Sequence, residues 1–336
     1  MANAYKALGA SAQNVKDLQS ARAHWSDQLL TPVVEGAFAA GAAPTPSMDR
    51  NVVGLGIGEK IVDDRPTGEL ALKFLVRSKF DLADIPEADK IPETYQGLPV
   101  DVEEVGEIVV QQAPTPGSLR LRVRPAHPGL SIGPGEPMAG TFGALVQDAQ
   151  GTYVLSNNHV LALVNRLLPG AAIYQQGILD GGQIPADQIA TLTRFIKLQA
   201  LINNRVDAAI AQVSAANLVV KDIPGIGAPT GKVPAQFDMM VHKLGRTTGY
   251  TVGRITSVDT DIRVNYREAG VFTFTGQLLI ESVTAGQPFS QAGDSGSLIL
   301  ARGSNKAVGL LFAGSDSHTI ANPIARVLQR LKVKLV

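Results

Sequence analysis

The spacing of apolar residues changes along the chain. Between residues 12 and 36, Leu18, Ala21, Trp25, Leu29 and Val33 recur at intervals of three and four, while Lys16, Asp17, Arg22 and Asp27 fall on other faces. That rhythm predicts an amphipathic helix, kinked or ended by Pro32. Residues 39–47 (AAGAAPTPS) read as a linker. Strand-like runs follow at 52–57, 70–76 and 100–110. They are separated by Asp63-Asp64-Arg65-Pro66-Thr67-Gly68 and by a stretch punctuated with Pro86, Pro92 and Gly97. This segment predicts a small α/β or mostly β unit, closed by a second linker, Ala113-Pro114-Thr115-Pro116-Gly117.

From about Leu119 the apolar and β-branched runs become short and alternate with Gly, Asn and Asp turns. They lie at 142–146, 153–156, 208–213, 239–244, 251–258, 271–280, 297–300 and 308–312. Many short strands at this spacing predict a sandwich or barrels. The chain closes with a helix through about Leu331, for which Asn322 is the expected cap and Pro323 the expected first-turn residue. Three units result: a helix and linker (1–47), a small accessory domain (48–118) and a β-rich domain (119–336).

Composition narrows the function classes. With 45% hydrophobic and 18% charged residues in 336, the chain is not intrinsically disordered. Thirty basic and thirty acidic residues cancel, so no global electrostatic footprint points to nucleic acid or to a membrane. The absence of cysteine excludes disulfides, thiolate catalysis, cysteine zinc sites and iron–sulfur clusters. No secretory apolar region is visible near Met1, and the apolar stretch 29–43 is interrupted by Pro32 and Glu35. The expectation is a soluble, cytoplasmic protein.

The strongest chemical signal is Gln291-Ala292-Gly293-Asp294-Ser295-Gly296-Ser297-Leu298. A serine in a glycine-rich turn before an apolar strand is a candidate nucleophile, and the Gly293 and Ser295 N–H groups could hold an oxyanion. Taken alone, the motif is also an ordinary tight turn. Of five histidines, His159 stands where the strand-like Tyr153-Val154-Leu155-Ser156 breaks into Asn157-Asn158. An orienting carboxylate could come from Asp207, immediately before an apolar strand, or from the rival Asp187.

His159, Asp207 and Ser295 occur in the order His, Asp, Ser, which differs from the subtilisin and α/β-hydrolase orders. With the sequences around them, the region from about Leu119 resembles trypsin/chymotrypsin-like serine peptidases. Two further pieces match: Val241-His242-Lys243-Leu244-Gly245-Arg246-Thr247-Thr248-Gly249-Tyr250-Thr251-Val252-Gly253, and Val308-Gly309-Leu310-Leu311-Phe312-Ala313-Gly314. The forms Ser-Asn-Asn-His and Gly-Asp-Ser-Gly-Ser-Leu are similar to cysteine-free bacterial members and to the plant Narrow Leaf type. The resemblance covers roughly two thirds of the chain.

It implies a mainly β, double-barrel domain with the active site between the barrels, preceded by the N-terminal helix and the accessory domain. It also implies Ser295 as nucleophile, His159 as general base, Asp207 as its orienter, and Gly293 and Ser295 as oxyanion hole. Phe289 would form the base of the specificity pocket beside Phe312 and Gly314, implying an apolar or small residue before the cut. The implied activity is endopeptidase action on proteins or peptides. A silent binding scaffold, an esterase and a self-cleaving protease remain the rivals. No activation-type N-terminus is identifiable.

Three features have plainer readings. Gly54-Leu55-Gly56-Ile57-Gly58-Glu59-Lys60 fits no phosphate-loop spacing and reads as a strand or hairpin. Arg120, Arg122 and Arg124 read as a solvated edge strand. His127, His242 and His318 show no metal-ligand spacing, so neither a metal nor a cofactor is expected. The N-terminal 118 residues could recruit substrate, cover the cleft or build a homo-oligomer, with the Trp25 helix as a candidate contact surface.

Overall fold

The short apolar runs pair into two large sheets, antiparallel except where Arg65–Val76 and Leu98–Glu104 run parallel, in a computed structural model that describes residues 2–31, 43–110 and 118–336. The linker expected at 113–117, part of the one at 39–47, and Pro32 and Val33 lie outside the described residues. In sheet order the first sheet comprises Met240–Gly245, Leu298–Ala301, Lys306–Gly314, His318–Pro323, Val271–Ser282, Gly249–Asn265, Val52–Val62, Arg65–Val76, Leu98–Glu104 and Thr94–Tyr95. Met240–Gly245 also pairs with Gly249–Asn265, from Met240↔Arg254 to Gly245↔Gly249. That pairing closes the first six of these strands into a barrel. The strands at 52–104 extend the same sheet through Gly54↔Ile262 and Leu55↔Asp261.

The second sheet runs Lys334–Leu335, Ala144–Asp148, Gly151–Ser156, Ala209–Val213, Gln188–Phe195 and Ala172–Tyr174. Its inward side chains, among them Val154, Ile173 and Leu192, form one core with Phe142. A second core joins the two sheets: Val146, Leu155 and Ile210 meet Leu298, Leu310 and the C-terminal helix residues Ile324, Val327 and Leu331. Apolar alternation on both sheets thus produces the seam that brings 156–161, 204–207 and 290–297 together.

The N-terminal helix is Ala12–Leu29. Ser11 caps it, accepting from Asn14 N–H at 3.0 Å. Val15, Leu18 and Ala21 are buried, and Trp25 packs edge-on to Phe74 and Tyr95 at 5.3 and 5.5 Å. The apolar face expected to seek another copy is therefore covered by strands of the same chain. Arg22 pairs with Asp259 and Asp261, and the Ser26 hydroxyl donates to Asp261 at 2.7 Å.

Two local expectations are corrected. Arg120, Arg122 and Arg124 form no edge strand: Arg120 is buried in a short helical turn, Ser118–Arg120, and bonds Thr247 Oγ1 at 3.2 Å. Arg122 reaches Asp187 at 2.5 Å, and Arg124 donates to the Gln175 carbonyl at 2.7 Å. Asn322 caps nothing. The helix Ile324–Leu331 has Pro323 at its cap position and no side-chain cap bond, because the Asn322 amide is turned towards Asp207.

A buried charge network ties the Leu98–Glu104 strand to the barrel. Lys73 Nζ lies 3.0 Å from Asp101 and 2.8 Å from Glu103, and His318 Nε2 lies 2.8 Å from Glu103 and 3.4 Å from Glu281. Burial alone would depress the His318 imidazole, but its bonds to Glu103 and Glu281 outweigh this and push its pKa up to about 9 from 6.5. Burial would likewise raise Glu103, yet His318 and Lys73 hold it down to about 2. A pKa raised by folding stabilises fully below the unfolded value and loses that contribution as pH climbs through the folded one. Stability to urea should therefore fall between pH 6.5 and about 9, by up to about 3 kcal/mol. His318→Gln should flatten that limb, and an unchanged slope would show that the network does not carry it.

Candidate active site

Asp207 is fully buried just before the Ala209–Val213 strand. Its carboxylate collects four donors. Oδ1 accepts from Asn158 N–H at 2.7 Å and from His159 N–H at 3.3 Å. Oδ2 meets His159 Nδ1 at 2.6 Å and accepts from the Tyr266 hydroxyl at 2.8 Å. The Gly151–Ser156 strand ends one residue before a single helical turn, Asn158–Leu161, which carries His159 inward. The turn's free N–H groups face Asp207, so one carboxylate satisfies both backbone and imidazole. Asn157 Nδ2 donates to the Asp207 carbonyl at 2.8 Å, and Asn322 Oδ1 accepts the Asp207 N–H at 3.1 Å.

Ser295 is 1% exposed in the turn before Leu298–Ala301. Gly293 and Gly296 have φ of +96° and +95°, and a Cβ at either would strike Arg246 or Ser156. Only glycine fits both positions. Asp294 supports the turn from below. Its carboxylate accepts from Thr247 N–H (2.8 Å), Thr248 N–H (3.2 Å), Thr248 Oγ1 (2.6 Å) and Gln291 N–H (3.0 Å). The fully buried Lys243 ammonium lies 3.3 Å away. Burial lowers the pKa of Lys243, and Asp294 opposes that shift. The Gly293 and Ser295 carbonyls are taken by Thr141, through Oγ1 at 2.9 Å and N–H at 2.8 Å. The Gly293 and Ser295 N–H groups have no hydrogen-bond acceptor among the described residues.

Ser295 Oγ donates to the Phe312 carbonyl at 3.4 Å, and the buried His159 Nε2 has no hydrogen-bond partner. Serine and histidine therefore share no hydrogen bond in this state. Their surroundings do meet: a Cβ built on Gly140 would lie 2.6 Å from Val160 Cγ2 and 3.0 Å from the Ser295 carbonyl. Aromatic contacts run from His159 to Tyr266 (5.8 Å), to Phe274 (6.0 Å) and to Phe312 (4.7 Å), back to the carbonyl that holds the serine. His159 lines a cavity of about 660 Å³ with Val110, Met138 and Tyr266.

The other candidates fare differently. Gly314 lines a cavity of about 880 Å³ with Ser290, Gln291, Ala292 and Asp316. Phe289 is 1% exposed and belongs to the barrel core with Val241 and Ile255, so its ring does not face that cavity and Ser290 does. The Phe312 ring is buried too, and its carbonyl is what faces Ser295. Asp187 is engaged by Arg122 and by the Gln183 N–H, not by a histidine. Among the described residues, Glu103, Glu281 and His318 come within metal-ligand reach of one another, but His318 and Lys73 already pair with those carboxylates.

The sequence does not single out Tyr266 or Lys243, and it marks Asn322 only as a helix cap. Tyr266 follows the end of a long strand without a distinguishing pattern, and Asn322 has the form of a helix cap. Lys243 lies inside the matching segment before Gly249 and gives no sign there of being buried.

No protein-family model matches the sequence, and no curated protein matches it. Solved structures of bacterial serine proteases are similar to it. Thermobifida fusca protease A matches over 63% of this chain and 99% of its own, at 20% identity and a TM-score of 0.45. Cellulomonas bogoriensis chymotrypsin matches over 62% and 97%, at 21% identity and a TM-score of 0.44. A glutamic acid specific serine protease, described as using a histidine triad in substrate binding, matches over 63% and 100%, at 19% identity and a TM-score of 0.44. The present chain is mainly β, with two large sheets and an N-terminal helix. No helix among the described residues is long and apolar enough to cross a membrane.

Tyr266→Phe removes one donor from a buried carboxylate and should cost about 1–3 kcal/mol of stability. It should also shift the proton resonance of His159 Nδ1–H, which an unaltered spectrum would contradict. Lys243→Met leaves Asp294 buried without a counter-ion and should cost about 3–5 kcal/mol in chemical denaturation. Adding Asp294→Asn should return part of that loss, and a double variant no more stable than the single one would refute the pairing.

Proposed function

We propose that this protein is a serine endopeptidase acting on proteins or peptides through an acyl-enzyme. The observation that carries this reading is the buried His159–Asp207 pair, with its outer nitrogen unpartnered, beside a serine in a turn whose two N–H groups are free.

In this mechanism Ser295 Oγ attacks the substrate carbonyl carbon while His159 Nε2 takes the hydroxyl proton. The new C–O bond places negative charge on the carbonyl oxygen, which accepts from the Gly293 and Ser295 N–H groups. Losing one such donor costs about 3 kcal/mol of transition-state stabilisation. The C–N bond then breaks as His159 passes its proton to the leaving amine. Water repeats the sequence, releasing the acid and restoring Ser295. Asp207 keeps the Nδ1 proton in place and stabilises the imidazolium. The serine–histidine bond absent here is of the kind that tightens when substrate arrives.

The preference for an apolar or small residue before the cut loses its basis, because Phe289 packs inward. Self-association through the N-terminal region would have to use surfaces other than the Trp25 face. One observation favours a second reading, a silent peptidase-fold scaffold: Ser295 Oγ is bonded to Phe312 rather than to His159. Comparing ester with peptide hydrolysis would separate an esterase from a peptidase.

The test is labelling by a small fluorophosphonate. Wild type should label, Ser295→Ala should not, and His159→Ala should lose at least about a thousandfold in rate. Labelling that ignores His159 would overturn the mechanism, and a folded wild type that fails to label would favour the scaffold.

A further inference from the structure

The segment 107–110 lies against the candidate catalytic cleft without belonging to either sheet. Val109 N–H donates to the Gly314 carbonyl and Gly314 N–H donates to the Val109 carbonyl, both at 3.1 Å. This is an antiparallel bridge onto the end of the Lys306–Gly314 strand. On its other side the segment bridges to Asn265: Asn265 N–H donates to the Ile108 carbonyl at 2.9 Å, and Val110 N–H to the Asn265 carbonyl at 3.2 Å. Asn265 Nδ2 adds a bond to Glu107 at 2.8 Å.

The location gives this pairing its meaning. Gly314 stands two residues beyond Phe312, whose carbonyl accepts from Ser295 Oγ. Two residues of extended chain span about 7 Å. The antiparallel direction carries the chain from Val109 towards Phe312, and Val110 accordingly lines the same cavity as His159. Val109 lines the neighbouring cavity with Gly314, Gln291 and Ala292. The segment thus lines both the cavity beside His159 and the one beside Gly314. Its contacts with Gly314 are purely backbone, so any extended peptide could make them, which is how strand addition to a free edge works.

We propose that residues 107–110 occupy, in cis, the strand edge that an extended peptide substrate would use, so that the chain as folded blocks its own cleft. This rests on the peptidase reading of the site and adds its regulation. A substrate must displace the Val109–Gly314 pairing before its carbonyl reaches Ser295, and its apparent affinity falls by the fraction of molecules in which the edge is free. A small reagent that needs only the serine and its N–H groups is not hindered in the same way. The occupant also indicates what fits: Ile108 and Val110 are buried among Val264, Tyr266 and Phe312, so the trough accepts β-branched apolar side chains.

Val109→Pro removes the N–H that bonds Gly314, while Val109→Ala keeps both backbone bonds. Small fluorophosphonate labelling should be equal in wild type and both variants. Cleavage of unfolded casein, which offers every side chain before the cut, should rise at least tenfold in Val109→Pro and remain unchanged in Val109→Ala. Equal casein cleavage with intact labelling would overturn the proposal. A second measurement covers misfolding of the proline variant and failure of the peptidase reading. In Ser295→Ala protein saturated with casein peptides, amide exchange should speed up across 105–110 while 306–314 stays protected. Unchanged protection at 105–110 would overturn the blocking strand even if no labelling is ever seen.

Discussion

A carboxylate with no solvent is the constraint around which this molecule is arranged. Asp207 is wholly buried, and an ionised group in that position is tolerated only if every face meets a donor. Its donors come from a helical turn after one strand, an imidazole on that turn, and a phenol after a strand of the other sheet. Burial raises the Tyr266 pKa well above its usual value, and Asp207 adds to the shift, so the phenol stays a donor throughout the ordinary pH range. Satisfying one buried charge therefore fixes how the two sheets meet.

The same principle holds on the far side of the cleft. Asp294 is buried in a turn whose glycines adopt positive φ, and it is matched by two threonines, a backbone N–H and a lysine. Polar networks thus fasten both loops, while the apolar seam of Leu155, Ile210, Leu298 and Leu310 supplies the adhesion between the sheets. The division is physical: dispersion and desolvation hold the sheets together without direction, and charge-assisted hydrogen bonds set the positions of single atoms.

Much of this was legible in the sequence where period and position coincide. The strand-like runs at 142–146, 208–213 and 297–300 correspond to strands Ala144–Asp148, Ala209–Val213 and Leu298–Ala301, because a strand buried on both faces leaves a short continuous apolar run in the sequence. His159, Asp207 and Ser295 stood out because polar residues interrupt apolar runs there. Long-range polar pairing leaves no such mark. Asn322 has the form of a cap, and only the fold turns it towards Asp207. Arginines at alternate positions look like one face of a strand, yet Asp187, Gln175 and Thr247 from distant segments bind them individually. The slip at Phe289 is of the same kind: in a turn, moving by one residue exchanges core for cavity.

Lys243 is carried on the Met240–Gly245 strand, four residues before the threonine turn it helps to brace. The counter-charge to Asp294 is thus supplied from within the barrel, and no chain end has to be cut and threaded inward. The brace of the serine's turn is therefore local: one strand lysine and one threonine hold the buried carboxylate, and the turn's position is set wherever that strand is set.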